Sequence, residues 1–146
     1  MAILLPTTTI TTAVTAQVTS NFQLRGTDGH RFLPAAMILQ SNFVYGSGGT
    51  TVDAYVQTSL DGGTTWIDAA NFHYASVLAS LRSILSVTNT AIVTGYTALD
   101  GSIAANTSKD GIFGPLWRVK LTTTGTFAGG TTLRIDAFSN GIIPSP

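Results

Sequence analysis

The stretch Val52-Asp53-Ala54-Tyr55-Val56-Gln57-Thr58-Ser59-Leu60-Asp61-Gly62-Gly63-Thr64-Thr65-Trp66 decides the fold class. Val52, Ala54 and Val56 alternate with Asp53, Tyr55 and Gln57, the period of a strand with one buried and one wet face. The alternation stops at Asp61-Gly62-Gly63. There the glycines permit positive φ, and an Asp can accept hydrogen bonds from nearby backbone N–H groups. A strand that runs into such a turn reads as half of a β-hairpin.

The same period recurs outward from this stretch. In Leu116-Trp117-Arg118-Val119-Lys120-Leu121, Trp117, Val119 and Leu121 form a core face opposite Arg118 and Lys120. Leu133-Arg134-Ile135-Asp136-Ala137 repeats the pattern, and Thr122–Thr132 between them, with Gly125 and Gly129-Gly130, predicts a hairpin with a longer loop. Ala35–Tyr45 is more uniformly apolar at Met37-Ile38-Leu39 and predicts a central strand. Ala75–Val87 stays open between helix, from Leu78, Leu81 and Leu85, and strand, from Val77, Ala79, Leu81, Leu85 and Val87. Met1–Thr19 is Thr-rich, uncharged and extended. Residues 1–19 are expected to be an N-terminal arm or a first strand, and 20–146 a single domain. Short strands between regular turn signals predict an all-β, antiparallel β-sandwich or barrel, with an extended N-terminal arm.

Composition excludes several functions. The 146 residues carry seven Lys+Arg against seven Asp, with no Glu, a formal net charge of zero and 10% charged residues. Nucleic-acid binding needs a surplus of clustered cations, so no nucleic-acid partner is expected. With no Cys there is neither a disulfide scaffold nor a thiolate zinc site. Ala2-Ile3-Leu4-Leu5 ahead of Pro6 lacks the basic lead of a signal peptide, and no apolar run is long enough to span a membrane. In place of charge stand 24 Thr and 12 Ser.

Residues with catalytic potential are few. His30 and His73 are the two histidines, and no Gly-x-Ser-x-Gly elbow accompanies them. Two His and scattered Asp make no metal-ligand pattern. Gly46-Ser47-Gly48-Gly49-Thr50-Thr51 has the glycines of a phosphate loop without its Lys. Asp61 and Asp68 could face each other as a carboxylate pair, although a turn Asp bonded to backbone N–H groups is the simpler reading. No enzyme activity, cofactor or metal is expected.

Ser59-Leu60-Asp61-Gly62-Gly63-Thr64-Thr65-Trp66 fits Ser-x-Asp-x-Gly-x-Thr-Trp and resembles an Asp-box. That resemblance implies a structural hairpin in which Ser59 and Asp61 bond the turn, Gly63 permits it and Trp66 packs beneath. The longer blocks Val52–Ala70 and Trp117–Ala137 resemble small β-sandwich virion proteins of tailed bacteriophages, with Ser76–Gly114 poorly matched. The resemblance implies a jelly-roll-like β-sandwich and a non-enzymatic structural protein at the capsid surface of a virion. It would be a decoration (cement) protein that binds the outer face of the major capsid protein lattice and stabilises the head. It would also bind itself as a homo-oligomer such as a trimer. Ile3, Leu4, Leu5, Ile10, Ile142 and Ile143 are the expected partner contacts, being apolar residues of the two uncharged ends. The alternative is a tail or receptor-binding component with a carbohydrate-binding sandwich, using Trp66, Trp117, Tyr45, Tyr55 and Tyr74 as stacking platforms.

Overall fold

Alternating β-branched and aromatic residues produce strands throughout. In a computed structural model that describes residues 1–23, 33–75, 79–92, 95 and 97–143, with the backbone alone at 33–34 and 140–143, no helix occurs among the described residues. The strands are β1 (Ala2–Thr9), β2 (Val14–Val18), β3 (Phe22–Gln23), β4 (Leu33–Val44), β5 (Ser47–Gly48) and β6 (Thr51–Ser59). They continue with β7 (Ile67–Tyr74), β8 (Leu81–Thr88), β9 (Leu116–Thr124), β10 (Phe127–Ala128) and β11 (Thr132–Ile143).

Two antiparallel sheets form a β-sandwich. Sheet A has the order β1-β11-β4-β8; sheet B has the order β2-β9-β6-β7, with β3 also paired to β9. The longest ladder joins β4 to β11 without a register shift up to Asn140 opposite Ala36. The expectation of a central strand over Ala35–Tyr45 is therefore met by β4. The ambiguous stretch after Ala75 resolves as strand from Leu81, while 76–78 lie outside the described residues.

The period of two fills the space between the sheets. Met37, Leu39 and Phe43 of β4, and Leu133 and Ile135 of β11, face Val52, Val56, Phe72, Trp117 and Val119, and all are fully buried. Across the interior the Phe43 and Tyr74 rings stack with centroids 4.4 Å apart. The Tyr74 hydroxyl donates to Ser41 Oγ at 2.7 Å, which satisfies two polar groups inside an apolar core.

Two expectations need correction. The segment 122–132 is not a hairpin, because β9 and β11 lie in opposite sheets. It is a crossover whose β10 pairs with β5, and Gly49 lies so close to the Phe127 ring that no side chain fits there. Its glycines signal turns correctly, but a turn signal does not say which sheet the chain enters next. Of the two expectations for residues 1–19, an arm or a first strand, the strand is what is seen, since β1 pairs with β11 and β2 with β9 of the same chain; the correction concerns the partner contacts placed there. Leu4, Leu5 and Ile10, expected as partner contacts, are 4%, 5% and 4% exposed within the chain's own core. The physical reason is that uncharged, apolar strands bury most surface against the nearest open sheet margin.

A first prediction follows from this burial. Deleting residues 1–9 removes two buried leucines and one margin of sheet A, at a cost on the order of 5 kcal/mol. Thermal melting should show a large loss of stability; an unchanged midpoint would mean that the segment is a dispensable arm.

Candidate functional site

The hairpin between β6 and β7 is held by its acid. Asp61 Oδ1 accepts from Thr64 N at 3.1 Å and Thr65 N at 2.8 Å, and Oδ2 accepts from Thr65 Oγ1 at 2.6 Å. Ser59 Oγ donates to Asp61 Oδ1 at 2.9 Å and accepts from Gly63 N at 2.8 Å. Gly62 and Gly63 adopt φ of 74° and 98°, which β-carbon-bearing residues rarely take. Trp66 donates Nε1–H to the Gly63 carbonyl at 3.1 Å, and Arg118 of β9 lies 4.2 Å from its ring centroid. All four hairpin residues expected from the sequence therefore meet in one turn. The Thr65 hydroxyl, followed by the Thr65 N–H, lowers the Asp61 pKa from 3.8 to about 2.

Beyond Arg118 the outer face of sheet B carries a polar grid. Register places Arg118 beside Gln57 and Gln57 beside Asp68; Lys120 beside Tyr55 and Tyr55 beside Asn71; and Asp53 beside His73. Alternation marks this face as wet, yet Gln57 is fully buried and Asp68 only 2% exposed. The cover is the segment 99–109. It bonds along β7 through Asp68 N to Leu99 O, Asn71 N to Thr107 O and Lys109 N to Ala69 O.

Asp68 holds that cover in place. Its carboxylate accepts from Gly101 N, Ser102 N and Ile103 N at 2.8, 2.8 and 3.1 Å, and from Gln57 Nε2 at 2.8 Å. Such charge-assisted bonds compensate the burial of an ion. Gln57 also donates to Asp100 Oδ1 at 2.7 Å and accepts from Arg118 Nε at 2.8 Å; Lys120 Nζ reaches Asp100 Oδ1 at 2.8 Å. The Lys120 hydrogen bond lowers the Asp100 pKa, while burial lowers that of Arg118 and raises that of Tyr55.

Chemistry is sparse in this arrangement. Asp61 and Asp68 do not form a pair, because each is engaged with its own set of N–H groups. His73 Nδ1 lies 2.8 Å from Asp53 Oδ1, and the backbone N–H of His73 donates to Asn106 Oδ1 at 3.0 Å. His30 falls outside the described residues. Among the described residues no group of three or more His or Asp could hold a metal ion.

Sheet A presents the opposite kind of surface. Ile3 of β1, Ile38 of β4 and Ile84 of β8 are 44%, 38% and 62% exposed. Phe138 of β11 is half-buried and lies directly beside Ile38. Ile3 pairs with Asp136, two residues from Phe138, and Ile84 pairs with Gln40, two residues from Ile38. Diagonal neighbours on one sheet face lie within reach of long side chains, so the four residues form one apolar band across sheet A.

Of the expected partner contacts, Ile3 remains exposed and belongs to this band. Ile142 and Ile143 extend β11 opposite Pro34 and Leu33, and their side chains lie outside the described residues. The Ile38 and Ile84 signal was available: both fall on the face opposite the buried residues of their strands. Asp68 and Gln57 were harder to find, because their cover comes from a segment about 30 to 50 residues away in sequence. Comparisons with known protein families, with characterised proteins and with solved structures find no match.

Two outcomes are expected. Asp68→Asn replaces an acceptor with an amide facing backbone donors, costing about 2–4 kcal/mol. Limited proteolysis should then cut within 99–109 faster than in the wild type; unchanged cleavage and stability would remove Asp68 as the clasp. For Asp61 the folded pKa is lowered, so its contribution is present above 3.8 and is lost as pH falls towards about 2. In denaturant titrations across that window Asp61→Asn should show a shallower dependence of stability on pH than the wild type. Identical slopes would contradict the hairpin assignment.

Proposed function

We propose that this chain is a structural virion protein that decorates the outer surface of a capsid lattice and stiffens the head. The supporting observation is the strand order. Setting aside the two-residue strands, eight strands wind so that the chain changes sheet at every step except the β6–β7 hairpin, giving β1-β11-β4-β8 over β2-β9-β6-β7. We read this order as a jelly roll, an architecture used by viral capsid and lectin domains. The sequence resemblance to small phage virion proteins points the same way. So does a surface with few charges and an exposed apolar band, since such bands mark partner sites.

In this reading the protein acts by mass action and has no catalytic step. A subunit that binds the assembled lattice and not free capsid protein stabilises the shell, and contact with several lattice subunits multiplies the effect. The glycan-binding alternative has less support. Trp66, Trp117 and Tyr74 are 8%, 0% and 3% exposed, which leaves no face on which a sugar could stack. Tyr45 and Tyr55 are half-buried and lie apart, Tyr45 just past the end of β4 in sheet A and Tyr55 within β6 of sheet B.

The test is to add purified protein to undecorated, expanded heads of the virus that encodes it. Saturable occupancy and a higher temperature of shell disruption are expected. Recovery of the protein in the tail fraction of virions, or a shell that melts unchanged with the protein present, would overturn the proposal.

A further inference from the structure

Four strands form the margins of the two sheets, and three carry a device that blocks further pairing. In β1, Pro6 removes an N–H and the register shifts between Ile3 and Leu5 and again between Leu5 and Thr8. In β2, the register shifts between Val14 and Gln17, and Ala16 stands at φ 55°. The margin of β7 is taken up by the segment 99–109. The fourth margin is β8, Leu81–Thr88, and it carries no such device among the described residues. It pairs with β4 at eight consecutive positions without a shift, contains no Pro and has one charge, at Arg82.

The backbone of β8 shows which groups face outward. Thr88 N donates to Asp110 Oδ1 at 2.7 Å and Thr88 O accepts from Gly111 N at 2.8 Å, both on the side away from β4. Asn89 N turns the other way, to Ala35 O at 2.9 Å. In an antiparallel strand N–H and C=O alternate sides together, so Ser86, Ile84 and Arg82 direct theirs to the open margin. The contact with 110–111 closes the margin at Thr88 and leaves 82–86 as the available length.

We infer that β8 pairs antiparallel with β8 of a second copy of this chain about a two-fold axis at Ile84, which joins two A sheets into one. The occupant follows from self-complementarity. Centred on Ile84, the register sets Ile84 against Ile84, Arg82 against Ser86 and Ser83 against Leu85, so the two arginines never oppose each other. The outward N–H and C=O groups of 82, 84 and 86 then meet as hydrogen-bonded pairs. The same axis keeps both outer faces on one side of the joined sheet. The apolar bands of the two copies, each ending at Ile84, meet and continue into one another. A two-fold dimer differs from the trimer suggested by resemblance, and the pairing stands whether or not the protein decorates a capsid.

The test compares the wild type with Ile84→Lys and Ile84→Pro by sedimentation over a concentration series. Ile84 is 62% exposed and its N–H faces the open margin, so neither substitution removes a hydrogen bond to β4. The wild type is expected to dimerise, and each variant to dissociate at least ~10-fold more readily with its circular dichroism unchanged. Ile84→Cys, in a chain without other cysteines, checks the register: on oxidation it should cross-link faster than Leu99→Cys. Three results would overturn the inference. They are a wild type that stays monomeric up to its solubility limit, a dimer that persists in both margin variants, and cross-linking no faster at 84 than at 99. If a variant unfolds, cross-linking of Ile84→Cys decides alone.

Discussion

A strand at the margin of a sheet presents backbone N–H and C=O groups that must find a partner or remain in water. The way this chain treats its four margins organises the rest of the structure. Two are broken by local irregularity, at Pro6 in β1 and at Ala16 in β2. The third, β7, is covered by a segment that the Asp68 carboxylate pins through the amides of Gly101, Ser102 and Ile103. Once that segment lies over sheet B, the side chains beneath it must be satisfied internally. This is why Gln57, Arg118 and Lys120 bond to one another or to Asp100 of the covering segment.

The sparse charge has a corresponding distribution. Three of the seven Asp (53, 68 and 100) and two of the seven Lys+Arg (118 and 120) sit on or under the covered face of sheet B. Asp61 is spent within the hairpin. On the outer face of sheet A the described charges are Arg82 and the pair Arg134–Asp136, whose atoms lie 2.9 Å apart. What remains there is the band of Ile3, Phe138, Ile38 and Ile84. One side of the sandwich is covered by its own chain, and the other keeps an exposed apolar band.

Much of this was legible in the sequence because it is local. Alternation in 52–58, 116–121 and 133–137 gave the strands and the buried set, and Ser59, Asp61, Gly63 and Trp66 gave the hairpin with its bonding pattern. What stayed hidden depends on placement in space. Whether 122–132 turns back or crosses to the other sheet is decided by the pairing of β10 with β5, some 80 residues apart. The burial of Leu4, Leu5 and Ile10 depends on β11 having an open margin, near the opposite end of the chain. Gln57 read as wet because period two describes a sheet face and knows nothing of a loop that later covers it.

The central claim is that the chain covers one of its regular margins itself and leaves the other to a second copy. Amide hydrogen exchange, measured residue by residue at low and at high protein concentration, tests both halves together. The amides of Asp68, Asn71, Gly101, Ser102 and Ile103 should be protected equally at both concentrations. Those of Arg82, Ile84 and Ser86 should exchange rapidly when dilute and slowly when concentrated. Rapid exchange of the β8 amides at every concentration, or unprotected amides at 101–103, would contradict the account.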